Sequence, residues 1–348
     1  MKLKPLIKNL CSPIVWGIAK IIKKALFALL KKSYYSCDPI ENFQLVFYPN
    51  KRIRFCCMKY DEFADICTFD DIKGNYSLIF NKGVKKLNKI KKQFRKGKIN
   101  GACLKCPNLC KNTWSQNKKQ TITSINLSHY IGCNLKCVYC GWVNQKENKT
   151  TDSNLVLDSI IALKDNNYLA NNCSISVGGG HGEPSLHQGI SMITEYCVAN
   201  KIFIDIHSNA ARYIELFAKA CESDSGQLVI SSDAGSVEVF KKIKQVDDFA
   251  NTWTNIQKYM ENTTKNVYVK YLIQPDNMYD YNDFINCCIK HNVRIIIIDL
   301  VVGMECDKTS IINSVRNLRM LCEQNKIEYK KGGFLPYEYY AEKTVTLQ

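Results

Sequence analysis

From about Thr121 onward, short apolar runs alternate with helical stretches, and this alternation limits the fold more than any other feature. Candidate strands cover 122–128, 173–178, 202–206, 228–232, 267–273 and 294–300. Helices fit between them at about 154–170, 187–200, 211–222, 249–262 and 279–291, with a last one near 308–325. Regular βα alternation dictates an α/β fold built on a parallel sheet with right-handed crossovers. The sheet is either barrel-like, (β/α)6, or open and doubly wound. In both architectures chemistry gathers at the C-terminal ends of the strands. The first strand ends just before GCNLKCVYCGW, which runs from Gly132 to Trp142.

That stretch holds Cys133, Cys137 and Cys140 at spacings of four and three. The chain has 18 cysteines, and Cys67, Cys173, Cys197, Cys221 and Cys322 sit on apolar faces as small hydrophobes. A tight cluster in a chain whose N-terminus does not read as a secretory signal points instead to metal or redox chemistry. A mononuclear zinc site normally takes four ligands. Three thiolates on a cubane iron–sulfur cluster leave one iron open to an exogenous ligand, and that open iron gives the spacing a chemical purpose. About forty residues later the next strand ends in GGGHGEP, with His181, Gly182, Glu183 and Pro184. Carbonyls and a carboxylate there would accept from an ammonium group.

Cys133-x3-Cys137-x2-Cys140, with Tyr139 before the third cysteine, resembles the signature of the radical S-adenosylmethionine (radical SAM) superfamily. Gly182, Glu183 and Pro184 are similar to that family's Gly-Gly-Glu-Pro box, from which His181 departs. The resemblance covers roughly residues 120–305. It implies a partial (β/α)6 TIM-like barrel, a [4Fe–4S] cluster on the three cysteines and S-adenosylmethionine on its open iron. It also implies reductive cleavage to a 5′-deoxyadenosyl radical, with a reductant such as flavodoxin or ferredoxin. By the same resemblance Ser208 and Asn209 lie near the ribose, Ser231 or Ser232 near the methionyl carboxylate, and Tyr139 beside the adenine. Gln274 is a weaker candidate at the fifth strand's end. Ser and Asn at strand ends also serve as turn and cap residues. His129, His187, His207 and His291 lack ligand-like spacing and read as structural.

The net charge of +16 belongs to the N-terminal third. Residues 1–32 hold eight Lys and no acid, 72–146 hold sixteen Lys or Arg and no acid, and the remainder carries about −8. Ser12 and Pro13 start a helix whose lysines at 20, 23, 24 and 31 form one stripe. Ammonium groups in mid-segment cost about 2.5–3.5 kcal/mol each at a bilayer centre, which argues against a spanning helix. A basic amphipathic helix suits an anionic membrane surface, or packing on its own domain or a partner. A cytoplasmic protein is expected, peripheral on the inner membrane face if the helix takes lipid.

Between 36 and 117 we expect strands at 43–48, 53–58 and 76–80, then a lysine-rich helix over 84–96 stopped by Gly97. CLKCPNLC follows, with Cys103, Cys106 and Cys110. The run from Gly74 to Cys106 resembles part of a SPASM or twitch extension, placed N-terminal to the core. That likeness implies a second [4Fe–4S] cluster on Cys103, Cys106 and Cys110, with Cys57 or Cys56 as fourth ligand; zinc is the alternative. Three segments are thus expected: a basic amphipathic helix at 1–35, a small α+β cysteine-rich segment at 36–117 and the radical SAM core at 118–348. A peptide or protein substrate is the first expectation, because SPASM-bearing relatives often modify such chains. A cell-envelope sugar or lipid-linked carbohydrate comes second and RNA third. Basic residues with Trp114, Tyr130 and Trp142 could suit RNA, but no recognised RNA-binding module appears. A non-catalytic iron–sulfur or zinc protein is the rival from another class.

Overall fold

A computed structural model describes residues 33–56, 62–114, 120–141, 149–178, 182–263, 265–301 and 306–341. The expected helix within 1–32, together with Cys57, Trp142 and His181, lies outside the described residues. The described residues form two compact units, one from those within 33–41 and 87–114, the other from those within 42–86 and 120–341.

The larger unit is an α/β structure on a ten-stranded sheet. Its strands are β2 (Gln44–Phe47), β3 (Arg52–Arg54), β4 (Asp65–Thr68), β6 (Ile122–Leu127), β7 (Leu169–Val177), β8 (Phe203–Ser208), β9 (Gly226–Ser231), β10 (Val267–Ile273), β11 (Ile295–Leu300) and β12 (Glu328–Lys331). The order is β12-β11-β10-β9-β8-β7-β6-β2-β3-β4, so among the described residues the sheet is open. Every pair from β2 to β12 across β6–β11 is parallel, while β3 and β4 run antiparallel and make the sheet mixed. Parallel strands covered on both faces must be apolar almost throughout. In β10 all residues but Lys270 are buried, and Ile175, Val177, Ile204, Ile206, Leu228 and Ile230 are fully covered or nearly so.

All six strands expected after Thr121 are present, and there β12 and the helices Val237–Lys244 and Tyr337–Ala341 are additions. The strand expected at 76–80 is not one: Ser77–Phe94 is a single helix. Ile79, Leu87, Ile90 and Phe94 are buried on it, and Gly83 faces the Phe43 ring so closely that a Cβ would lie 2.4 Å from Cζ. Spacings of four, four, three and four form a helical stripe, which overrides the β propensity of a short apolar run.

In the smaller unit β1 (Tyr34–Ser36) pairs antiparallel with β5 (Cys110–Asn112), and Ser36 stands opposite Cys110. Glu41 gathers this unit. Its Oε1 accepts from Tyr34 Oη at 3.2 Å and Ser36 Oγ at 2.8 Å, and buried Lys91 donates to its carbonyl at 3.1 Å. No described helix is long and apolar enough to cross a membrane.

Candidate active site

Because the strands are parallel, the loops after β6, β7, β8, β9 and β10 leave the same edge of the sheet. The first carries the three cysteines, and main-chain pairing clips it to the second. Gly132 and Gly182 form a parallel bridge, and Glu183 N–H donates to Gly132 O at 2.8 Å. Both glycines are needed. Gly132 has φ +114, and a Cβ on Gly182 would lie 2.5 Å from Tyr130 Cδ2.

Glu183 is buried, and its carboxylate turns toward the next strand. Oε1 accepts from Ser208 Oγ at 2.5 Å and Ser185 N–H at 2.9 Å, and Oε2 accepts from Asn209 N–H at 2.7 Å. Burial raises its pKa against the pull of these donors. Asn209 passes the contact on, since its Nδ2 donates to Asn134 Oδ1 at 2.9 Å and to Cys133 Sγ at 3.5 Å. Pro184 opens a short 3-10 turn, Pro184–Leu186. Thus Glu183, Ser208, Asn209 and Cys133 form one chain of contacts.

Desolvation pushes the Cys133 thiol up to about 11, although the residue keeps exposed surface, and the Leu135 N–H opposes the rise. Cys137 and Cys140 are close enough to raise it further. Burial likewise raises Cys137, opposed by Lys244. No described cysteine is in a disulfide. Among the described residues no group of three Cys, His, Asp or Glu gathers as the ligands of a single ion would. Each thiolate of a cubane binds its own iron, so such a cluster needs a wider spread than one ion does.

Tyr139 is pinned from behind. Its hydroxyl donates to Asp233 Oδ2 at 2.6 Å and accepts from Lys244 Nζ at 3.0 Å. Lys244 and Asp233 are fully buried and 2.5 Å apart. Burial acts to lower the Lys244 pKa, but Asp233 together with the Cys137 and Cys133 thiols outweighs it and the net direction is upward. Sequence reasoning missed both residues. The signal was present, because Lys244 lies four residues after buried Phe240 on an amphipathic helix and so falls on its covered face.

Ser231 contributes its carbonyl to Lys244 at 3.0 Å, and Ser232 is buried with Oγ donating to Ala234 O. Gln274, just past β10, is fully buried, and neither side-chain polar atom has a partner among the described residues. His129 faces Ser153 Oγ at 3.0 Å and His207 pairs with Asp205 at 3.1 Å. Cys103, Cys106 and Cys110 belong to the smaller unit, whereas Cys56 is buried in the larger one.

Residues 127–287 match the Radical SAM superfamily. The chain carries a radical SAM domain. It is the domain of an enzyme superfamily, and it contains all three loop cysteines, Glu183, Asp233 and Lys244. Two solved structures of SuiB from Streptococcus suis are similar to this chain in fold. The one bound to S-adenosylmethionine aligns with a TM-score of 0.51 at 16% identity, over 78% of this chain and 63% of that chain. The one bound to precursor peptide SuiA aligns with a TM-score of 0.51 at 14% identity, over 87% and 72%. The chain therefore spans less than two thirds of the first of these. No curated protein matches it in sequence.

Proposed function

We propose that the protein is a radical SAM enzyme that cleaves S-adenosylmethionine reductively and takes hydrogen from a peptide or protein. One observation carries this reading. The loop bearing Cys133, Cys137 and Cys140 is clipped to the 182–184 turn at the C-terminal edge of a parallel sheet. Three thiols on one loop, near enough to influence one another, suit a [4Fe–4S] cluster with an open iron. When bound, the cluster and S-adenosylmethionine supply an electron to the sulfonium and a 5′-deoxyadenosyl radical that abstracts hydrogen. The chain's own residues orient and exclude. Glu183 fixes Ser208 and Asn209, Asn209 steadies Cys133, and Tyr139 is held against Asp233. Ser231, Ser232 and Gln274 stand at the strand ends where a cofactor would lie. We read β6–β11 as that superfamily's partial (β/α)6 barrel, fed by a reductant of the flavodoxin or ferredoxin class. The peptide substrate is supported by SuiB, whose peptide-bound structure shares the fold.

The smaller unit holds a second metal centre in this reading, on Cys103, Cys106 and Cys110, in a SPASM-like role. Cys37 is the fourth ligand we favour, since it directly follows Ser36, which stands opposite Cys110 in the same unit. The described residues of this small unit bury few apolar side chains, and a metal staple is a common substitute for a larger core. Cys57 is the alternative.

The test is anaerobic reconstitution, then dithionite and S-adenosylmethionine. Release of 5′-deoxyadenosine by wild type and its loss in Cys137→Ala support the reading; a fully clustered protein that releases none overturns it. Deuterium passing from a labelled candidate peptide into 5′-deoxyadenosine would establish the substrate class.

A further inference from the structure

We propose that Lys244 is a positioning residue that pins the segment around Cys137, and that the Asp233–Lys244 pair sets the reduction potential of the group held there. The inference rests on the cluster reading above. Residue 244 holds the loop in two independent ways.

The first is its main chain. Lys136 N–H donates to Lys244 O at 3.0 Å, and Val138 N–H donates to Ile243 O at 2.9 Å. These are the amides on either side of Cys137, and they satisfy carbonyls that the end of Val237–Lys244 would otherwise leave without partners. The second is the side chain. Its ammonium donates to Tyr139 Oη, Ser231 O and Asp233 Oδ2. Three donors meet three acceptors, so none is left to recognise a ligand. Lys244 therefore acts on the loop and not on a bound molecule.

Asp233 is itself held. Its φ is +62, its Oδ1 accepts from Leu272 N–H at 3.0 Å, and its carbonyl accepts from Asn277 Nδ2 at 2.8 Å. The pair thus ties the loops after β6, β9 and β10 to one helix end. A rigid loop holds three thiolates at cluster spacing, and a buried charge beside them acts through a low dielectric. A positive charge favours the reduced, more negative cluster; Asp233 offsets it.

The experiment uses the reconstituted full chain, with two readouts that need no turnover: iron retained against a chelator, and an EPR-monitored redox titration. Asp233→Asn leaves the ammonium unopposed and is expected to raise the midpoint potential. Lys244→Met is expected to lose iron to the chelator several-fold faster, with Lys244→Arg recovering part of the retention. Because a lone buried carboxylate can prevent folding, the double variant D233N/K244M is included; it leaves no unpaired charge and should still lose iron faster. A wild-type protein that takes up no cluster overturns the functional reading and this inference with it. A clustered wild type whose variants keep its iron retention and midpoint overturns the inference alone.

Discussion

Asn209 joins two parts of the site: its backbone N–H donates to Glu183 Oε2 at 2.7 Å while its side chain donates to Cys133 Sγ at 3.5 Å. A carboxylate after one strand thereby sets the position of a thiol after another.

Glu183→Gln should expose that dependence. Gln offers one acceptor where the carboxylate offers two, so either Ser208 or Asn209 N–H faces another donor. A buried donor left unsatisfied costs about 1–3 kcal/mol. Anaerobic thermal unfolding should show a lower midpoint, and 5′-deoxyadenosine formation should fall with it. An unchanged midpoint would mean the carboxylate is not needed where it lies.

Gly182→Ala tests the clip between the two loops. The added Cβ meets the Tyr130 ring at 2.5 Å and Gly132 O at 3.0 Å. Overpacking of this kind costs about 1–3 kcal/mol. Reconstituted iron should drop while far-UV circular dichroism stays as in wild type.

Gln274→Leu separates a ligand-binding amide from a packing one. Replacing an unpartnered buried amide by an apolar side chain of similar size removes a desolvation penalty, so apo stability should hold or rise. Affinity for S-adenosylmethionine should weaken by roughly tenfold, the worth of about one good hydrogen bond. Equal affinity for both proteins, by calorimetry, would remove Gln274 from the site.

Acid should weaken the fold partly through His129. Burial lowers its pKa to about 3, with His187 adding to the effect. Between pH 6.5 and about 3 the unfolded chain then binds a proton that the folded one refuses. Stability from this residue is therefore present above pH 6.5 and falls as pH drops, by at most about 1.4 kcal/mol per unit. His129→Asn should flatten the pH dependence of urea unfolding over that window.

Metal analysis decides the second centre. About eight iron atoms per chain fit two cubanes, and four iron with one zinc fit the alternative. Cys37→Ser should lower the second population if Cys37 is a ligand; a drop in Cys57→Ser instead would transfer the role to Cys57.

The alternating apolar runs were enough to place all six core strands and the helix Phe249–Asn262, because periodicity follows from which side chains must be covered. The three cysteines and Glu183 could be singled out as candidates in the same way, since ligand chemistry depends on residue type and spacing within a loop. The helix over 77–94 was misread at its start, where five residues are too few to separate a strand from a helical turn. Only the tertiary structure decided what Glu183 and Lys244 do. A carboxylate in the loop could have faced a ligand, and a lysine in a helix's last turn is usually solvated. Here the parallel order brings Ser208 to the first and Asp233 to the second across 25 and 11 residues of chain. Such partnerships depend on strand neighbours and burial, and no local pattern encodes either.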